Sequence, residues 1–386
     1  MLCLQRYRDI VRHYSRLEKF MVDFVVDLES VWLRLLDTYP PTNYENIRHL
    51  SDGMSPFLLA TPQAKMVLHK THVIAETWIY CYEDQLVSSI VNRALQVGMC
   101  QALSEIDRYC GEESIKFEEV SILHNVTAQS TYRFKNGVSL KGIFDIVESA
   151  LSRAVGEVGS RFTMGFRPMV VLVREISEDK NVSEQTLEAA EIVRVQERDQ
   201  DLTWTILALS LVAESGVAEF ARGFAIPDRY SFLYGGYGVA MIGDLAKHPI
   251  SLTVGDFERV DDLLHQISNF SSLEALRLNV ALRQFHRAAT AADKIQEAIH
   301  LRVCLENLFI RDHEDRGIEA LLKNRSPLYF NCSKTKVAKI YNFLSRAVHR
   351  GELIDTSGVS LHEIKRMISV TIQAYMEIGR YPTWPE

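Results

Sequence analysis

From residue 254 to residue 378 the apolar side chains return at three- and four-residue spacing almost without interruption, and that period dictates helices. Asp256 stands where a cap belongs, ahead of Val260, Leu263, Leu264 and Ile267. The next segment carries Leu278, Ala281, Leu282, Phe285, Ala288 and Ala289. Another follows with Ile295, Ala298, Ile299, Leu305, Leu308 and Phe309. A shorter helix over 318–322, one over 336–353 and a last one over 364–378 complete the series. Amphipathic helices joined by short connections bury their stripes against one another, so the spacing predicts an antiparallel helical bundle over 254–386.

Upstream the pattern differs. Residues 4–37 predict a long helix with Leu17, Phe20, Met21, Phe24, Val25 and Leu28 at helical spacing, stopped by Pro40 and Pro41. A loop rich in Asn, Ser, Gly and Pro is expected to about Thr61. A second helical region then runs to Tyr109 through Ile74, Trp78, Leu86, Ile90, Val91 and Leu95. After Gly111 the residues turn β-branched and aromatic. Tyr132–Phe134, Lys135–Gly137 and Val138–Leu140 read as strand, turn and strand, because Asn-Gly supplies the positive φ of a tight hairpin. Residues 169–176 and 202–212 read as further strands, although either run also suits a buried helix. The expectation is an α+β chain: a helical unit over 1–110, a β-rich unit with a mixed sheet over 111–253, and the bundle.

A length of 386 residues exceeds one comfortable core, and an apolar share of 47% argues against long disorder. The formal net charge of -7 excludes a general electrostatic affinity for nucleic acid, so any such contact needs a local basic patch. One exists: from Lys323 to Arg350 there are many Lys and Arg and no Asp or Glu. The cysteines Cys3, Cys81, Cys100, Cys110, Cys304 and Cys332 have no C-x-x-C spacing, which fits reduced thiols in the cytoplasm. Charge comes too early for a secretory signal, and the longest apolar run, 202–213, is too short to span a bilayer, so no membrane partner is expected.

The helix over 336–353 carries the chemistry. Val337, Ile340, Tyr341, Leu344, Ala347 and Val348 make one apolar stripe. Asn342, Ser345, Arg346, His349 and Arg350 fall on the other side. Imidazole moves protons near neutral pH, and guanidinium forks match phosphate oxygens, so this face suits phosphodiester cleavage or phosphate binding. A solvated basic helix end, favoured by the macrodipole, is the alternative.

Three stretches in order, DKIQEAIHLRVCLENLF (residues 293–309), ALLKNRSPLYF and KIYNFLSRAVHRGEL, resemble the HEPN helical bundles of the ApeA-like, abortive-infection branch. Asp293, Glu306, Arg325, Tyr341, Ser345 and His349 stand at the matching places, over roughly the last third of the chain. The family's nuclease motif has an Arg, four to six intervening residues, then the His; here Leu344, with four residues between it and His349, stands at the Arg position. For active members the resemblance implies metal-independent endoribonuclease chemistry at a dimer, with the RNA 2′-hydroxyl attacking the adjacent phosphate. His349 would be general acid or base, Arg346 or Arg350 would stabilise phosphorane charge, and Asn342, Ser345, Tyr341 and Glu306 would support them. Glu306 also reads as a buried carboxylate holding helices together. The expectation is an RNA-cleaving or RNA-binding effector of prokaryotic antiviral defence or toxicity, homodimeric through the bundle and without cofactor. A degenerate scaffold or regulatory partner is the alternative. The N-terminal region is expected to take a trigger or protein partner.

Other patterns are weaker. Arg8 and His13 repeat the Arg-to-His spacing outside the resembling region. His69, His72 and Glu76 would share one helix face and suit zinc or iron, or form a structural polar face. The glycine-rich tract over 234–244 lacks phosphate-cradle spacing and reads as turns.

Overall fold

The computed structural model describes residues 28–382 and 384, without 75–76, 125, 143–169, 184–199, 226, 231, 233–238, 242–248, 268, 312–313, 315–316 and 354–357. It is an α+β protein in which an antiparallel sheet packs beside a C-terminal set of helices.

Residues 28–38 are helical and bury Leu28 and Trp32; the rest of the expected first helix, with Arg8 and His13, lies outside the described residues. The expected loop before Thr61 is instead helix α1 (Tyr44–Ala60), capped by the Asn43 side chain and carrying Pro56 inside it. Leu50, Met54 and Leu58 are fully buried at four-residue spacing, and that stripe outweighs the loop-like composition. Thr61 then caps α2 (Pro62–Val67).

The second helical region is also interrupted. Strands β1 (Thr71–Ile74) and β2 (Thr77–Tyr80) form a hairpin before α3 (Glu83–Val97) and α4 (Met99–Gly111). Gly98 separates these helices at φ +86, which a helix interior does not accommodate.

The main sheet joins β3 (Ser114–His124), β5 (Tyr132–Arg133), β6 (Val138–Gly142), β7 (Val170–Asp179), β9 (Ala218–Ala225) and β10 (Val239–Met241) in the order β10-β9-β3-β7-β6-β5. Every pairing in it is antiparallel, unlike the mixed sheet expected. Among the described residues the parallel pairing is between β4 (Val126–Ala128) and β11 (Ile250–Leu252), while β8 (Asn181–Ser183) extends the β1–β2 hairpin. The Asn-Gly hairpin forms as predicted, with Gly137 at φ +87 and Asn136 Oδ1 accepting from Val138 N at 3.2 Å.

The expected strand over 202–212 is helix α5 (Gln200–Val212). Leu202, Ile206, Leu207, Leu209 and Leu211 are buried round its circumference, so no polar face betrays its period.

The C-terminal helices are α6 (Val254–Ile267), α7 (Ser272–Thr290), α8 (Lys294–Phe309), α9 (Ile318–Arg325), α10 (Pro327–Phe330), α11 (Lys334–Arg350) and α12 (Leu361–Ile378). Asp256 is not the cap of α6. Thr253 Oγ1 accepts from Asp256 N at 3.3 Å while the Asp256 carboxylate accepts from Thr253 N at 2.9 Å, a capping box. Ser271, Asp293, Ser333 and Ser360 cap α7, α8, α11 and α12.

Helix α8 is the hub, packing against α7, α11 and α12. One hydrophobic cluster runs from Leu123 in the sheet through α5 and these helices to Tyr381, passing residue 253 without a break. A second gathers the N-terminal helices on Ile115 and Phe117 of β3. Asp261 on α6 ties the hairpin to the helices: its buried carboxylate accepts from Tyr132 Oη at 2.9 Å and Lys135 N at 2.8 Å. No helix among the described residues is long and apolar enough to cross a membrane.

Candidate functional site

Helix α11 is fixed at both ends by its sequence. Ser333 Oγ accepts from Lys336 N at 3.2 Å, and Gly351 ends the helix in the left-handed conformation at φ +64. Val337, Ile340, Phe343, Leu344 and Ala347 are buried, with Tyr341 at their edge. Each large apolar side chain buried this way stabilises the seating by about 1.5–3 kcal/mol. Val348, expected in the stripe, is 41% exposed, and Phe343 takes the place in the core. The stripe is rotated towards Phe343, which leaves Lys339, Asn342, His349 and Arg350 exposed and Ser345 and Arg346 half-buried.

That face lines an open groove of about 550 Å³ made by Lys339, Asn342, Ser345, Arg346, His349 and Arg350. All the polar residues expected on the wheel are brought together there. Lys339 extends the row by one turn, at the same three- and four-residue spacing as Asn342, Arg346 and His349. Leu344 is fully buried on the opposite side and contributes nothing to the groove.

An arginine does reach the imidazole, from the neighbouring helix. Arg302 on α8 places Nη1 3.2 Å from His349 Nε2. A guanidinium only donates, so Nε2 accepts and the proton of the neutral ring sits on Nδ1. The same guanidinium donates from Nε to Glu306 Oε1 at 2.8 Å and from Nη2 to Tyr341 Oη at 3.1 Å. Its carbon lies 5.1 Å from the centre of the Tyr341 ring. Tyr341 Oη in turn donates to Glu306 Oε1 at 3.4 Å. Burial pushes the Tyr341 hydroxyl pKa up, opposed by the charge of Arg302 and reinforced by that of Glu306. Glu306 is therefore the acceptor that holds Arg302 in place beside the groove.

Two other positions of the series have structural work. Asp293 Oδ1 accepts from Ile295 N and Gln296 N at the start of α8. Arg325 is buried, donating to Phe309 O at 2.7 Å and pairing with Glu314 at 2.5 Å under the Trp384 ring. Arg325 holds the Glu314 carboxyl down at about 2.

The proposed metal face does not form as a helix face. His69 sits in a turn at φ +56, and His72 lies on β1. His72 is buried, its Nε2 donating to Val67 O at 2.9 Å and its Nδ1 accepting from Tyr109 Oη at 2.8 Å. Both ring nitrogens are committed, and burial lowers its pKa. Glu76 lies outside the described residues, as does most of the glycine-rich tract, of which β10 is described. No cluster of three or more His, Cys, Asp or Glu placed to hold a metal ion occurs among the described residues.

Arg302 and Lys339 were missed on the helical wheel of α11 for different reasons. Lys339 lies inside the predicted helix, three residues before Asn342 on the same face, so its position alone carried the signal. Arg302 belongs to another helix, and its one local signal was the four-residue spacing to Glu306. Comparison with protein-family models, with characterised proteins and with solved structures yields no match to this chain.

Proposed function

We propose that this chain is a HEPN-type effector that cleaves RNA, or binds it, without a metal ion, in prokaryotic antiviral defence or toxicity. The observation that carries the proposal is the groove on α11, where one imidazole stands among Lys339, Arg346 and Arg350. A phosphodiester backbone brings negative charge to the cations, and the imidazole supplies a group that moves protons near neutral pH. In the cleavage step His349 takes the proton of the RNA 2′-hydroxyl, whose oxygen bonds to the adjacent phosphorus. The 5′-oxygen then leaves, taking a proton from solvent water, and the imidazolium of His349 returns its proton to solvent. Arg346 and Arg350 stabilise the charge that builds on the non-bridging oxygens. Two chains meet through the bundle, and the N-terminal unit receives a protein partner or trigger.

A second reading has its own observation. Leu344 fills the core where the resembling family has its motif arginine, which favours a bundle kept as scaffold or regulatory partner. Incubating purified protein with RNA in EDTA, beside His349→Ala, Arg346→Ala and Arg350→Ala, separates the two. Cleavage lost with His349→Ala and with an arginine variant supports the enzyme. Absence of cleavage by every form, over several RNAs and candidate triggers, supports the scaffold.

A further inference from the structure

We infer that Arg302 is a catalytic residue that latches His349 and releases it when a phosphate enters the groove; the inference rests on the proposed phosphodiester chemistry of that groove. Three features point to it. First, Arg302 is held rigidly: its side chain is 12% exposed, Glu306 accepts from Nε at 2.8 Å, and Tyr341 accepts from Nη2 at 3.1 Å while stacking against the guanidinium. A guanidinium seated this way loses little freedom when it engages a ligand. Second, Nη1 reaches across from α8 to His349 Nε2 at 3.2 Å, so the lone pair that would accept a proton is already occupied. Third, His349 also lines the groove with Lys339, Arg346 and Arg350, so a phosphate bound there comes beside the same ring.

An anionic phosphate oxygen is a stronger acceptor for guanidinium than a neutral imidazole nitrogen. When the backbone settles among the groove cations, Nη1 turns to a phosphate oxygen and Nε2 is freed to accept the 2′-hydroxyl proton. Glu306 and Tyr341 keep the arginine from following the phosphate out. The latch thus supplies from a second helix the guanidinium that Leu344 removes from the motif position. It also ties the availability of the base to the arrival of substrate.

The test is the imidazole ¹⁵N spectrum of His349 in the full-length protein, assigned with His349→Gln, with and without a fully 2′-deoxy oligonucleotide that binds but cannot be cleaved. The free protein is expected to show His349 as the Nδ1–H tautomer, and Arg302→Ala to shift it to a mixture. Oligonucleotide at saturation should move the Nε2 resonance in the wild type. If Arg302→Ala is poorly folded, Arg302→Lys serves, since it keeps the charge but cannot bridge three partners. On RNA either variant should lower kcat by about 100-fold, and adding it to His349→Ala should lower cleavage no further, because the two act as one unit. An unchanged tautomer in both arginine variants, or an unmoved Nε2 resonance at saturation, overturns the latch. Cleavage by the wild type is scored separately: no cleavage with the tautomer response present refutes the nuclease and leaves the latch, and cleavage without that response does the reverse.

Discussion

Placing at position 344 the arginine of the motif that α11 resembles, by Leu344→Arg, is expected to destroy the protein rather than activate it. Leu344 is fully buried on the face of α11 that packs against α8 and α9. The substitution forfeits about 1.5–3 kcal/mol of leucine burial. It also places an unpaired guanidinium among apolar side chains at about 3–5 kcal/mol. The sum, about 4.5–8 kcal/mol, is comparable to the lower part of the roughly 5–15 kcal/mol that holds an ordinary domain together. Leu344→Met conserves volume and should cost under about 1.5 kcal/mol. Urea unfolding followed by circular dichroism, with soluble yield beside it, measures both. The expected result is a Leu344→Met curve close to the wild type and a Leu344→Arg protein that is insoluble or unfolded before urea is added. A Leu344→Arg protein that unfolds at the wild-type midpoint and cleaves RNA faster would refute the reasoning, because position 344 would then face the groove.

Asp261→Ala removes both hydrogen bonds that tie the β5–β6 hairpin to α6 and leaves the Lys135 amide without its partner; a loss of about 2–4 kcal/mol is expected in urea unfolding. His286 accepts at Nδ1 from Ser210 Oγ at 2.9 Å, and burial, then Arg287 and Arg283, hold its pKa down to about 4. Its folded pKa lies below the unfolded value near 6.5, so the unfolded chain binds the extra proton. Stability from this group is therefore complete above about 6.5 and falls as pH drops towards 4. Thermal melts across that window should show a slope that His286→Gln reduces. Arg350→Ala should weaken binding of a non-cleavable single strand and lower the slope of log affinity against log salt by about 0.7, the share of one phosphate contact; an unchanged slope would place Arg350 outside the path of the strand.

The legible parts of the sequence were those where local chemistry decides the outcome. The three- and four-residue stripe of α11 gives its buried face, and Asn136-Gly137 makes the hairpin. Where apolar residues surround an element, period carries no information, and α5 was as readable as a strand as it was as a helix. Composition misled in α1, whose Asn, Ser, Gly and Pro suggested a loop while Leu50, Met54 and Leu58 built a helix. The hairpin of β1 and β2 was hidden because Ile74 and Trp78 stand four residues apart, a spacing that continues the helical stripe of Leu86 and Ile90. At the site, every groove residue on α11 except Lys339 was read from the wheel. The partner of His349 was not, because the contact between Arg302 and His349 exists only once α8 and α11 pack, 47 residues apart in the chain.

The most direct test of the central claim is the chemistry of the cut ends, measured by mass spectrometry on a short RNA incubated with the full-length protein in EDTA. Catalysis from the α11 groove predicts a 2′,3′-cyclic phosphate on one fragment and a 5′-hydroxyl on the other, both lost with His349→Ala. It also predicts no cut where a single 2′-deoxy nucleotide replaces the scissile ribose. Fragments bearing 5′-phosphates, cleavage through the deoxy position, or full activity in His349→Ala would contradict it.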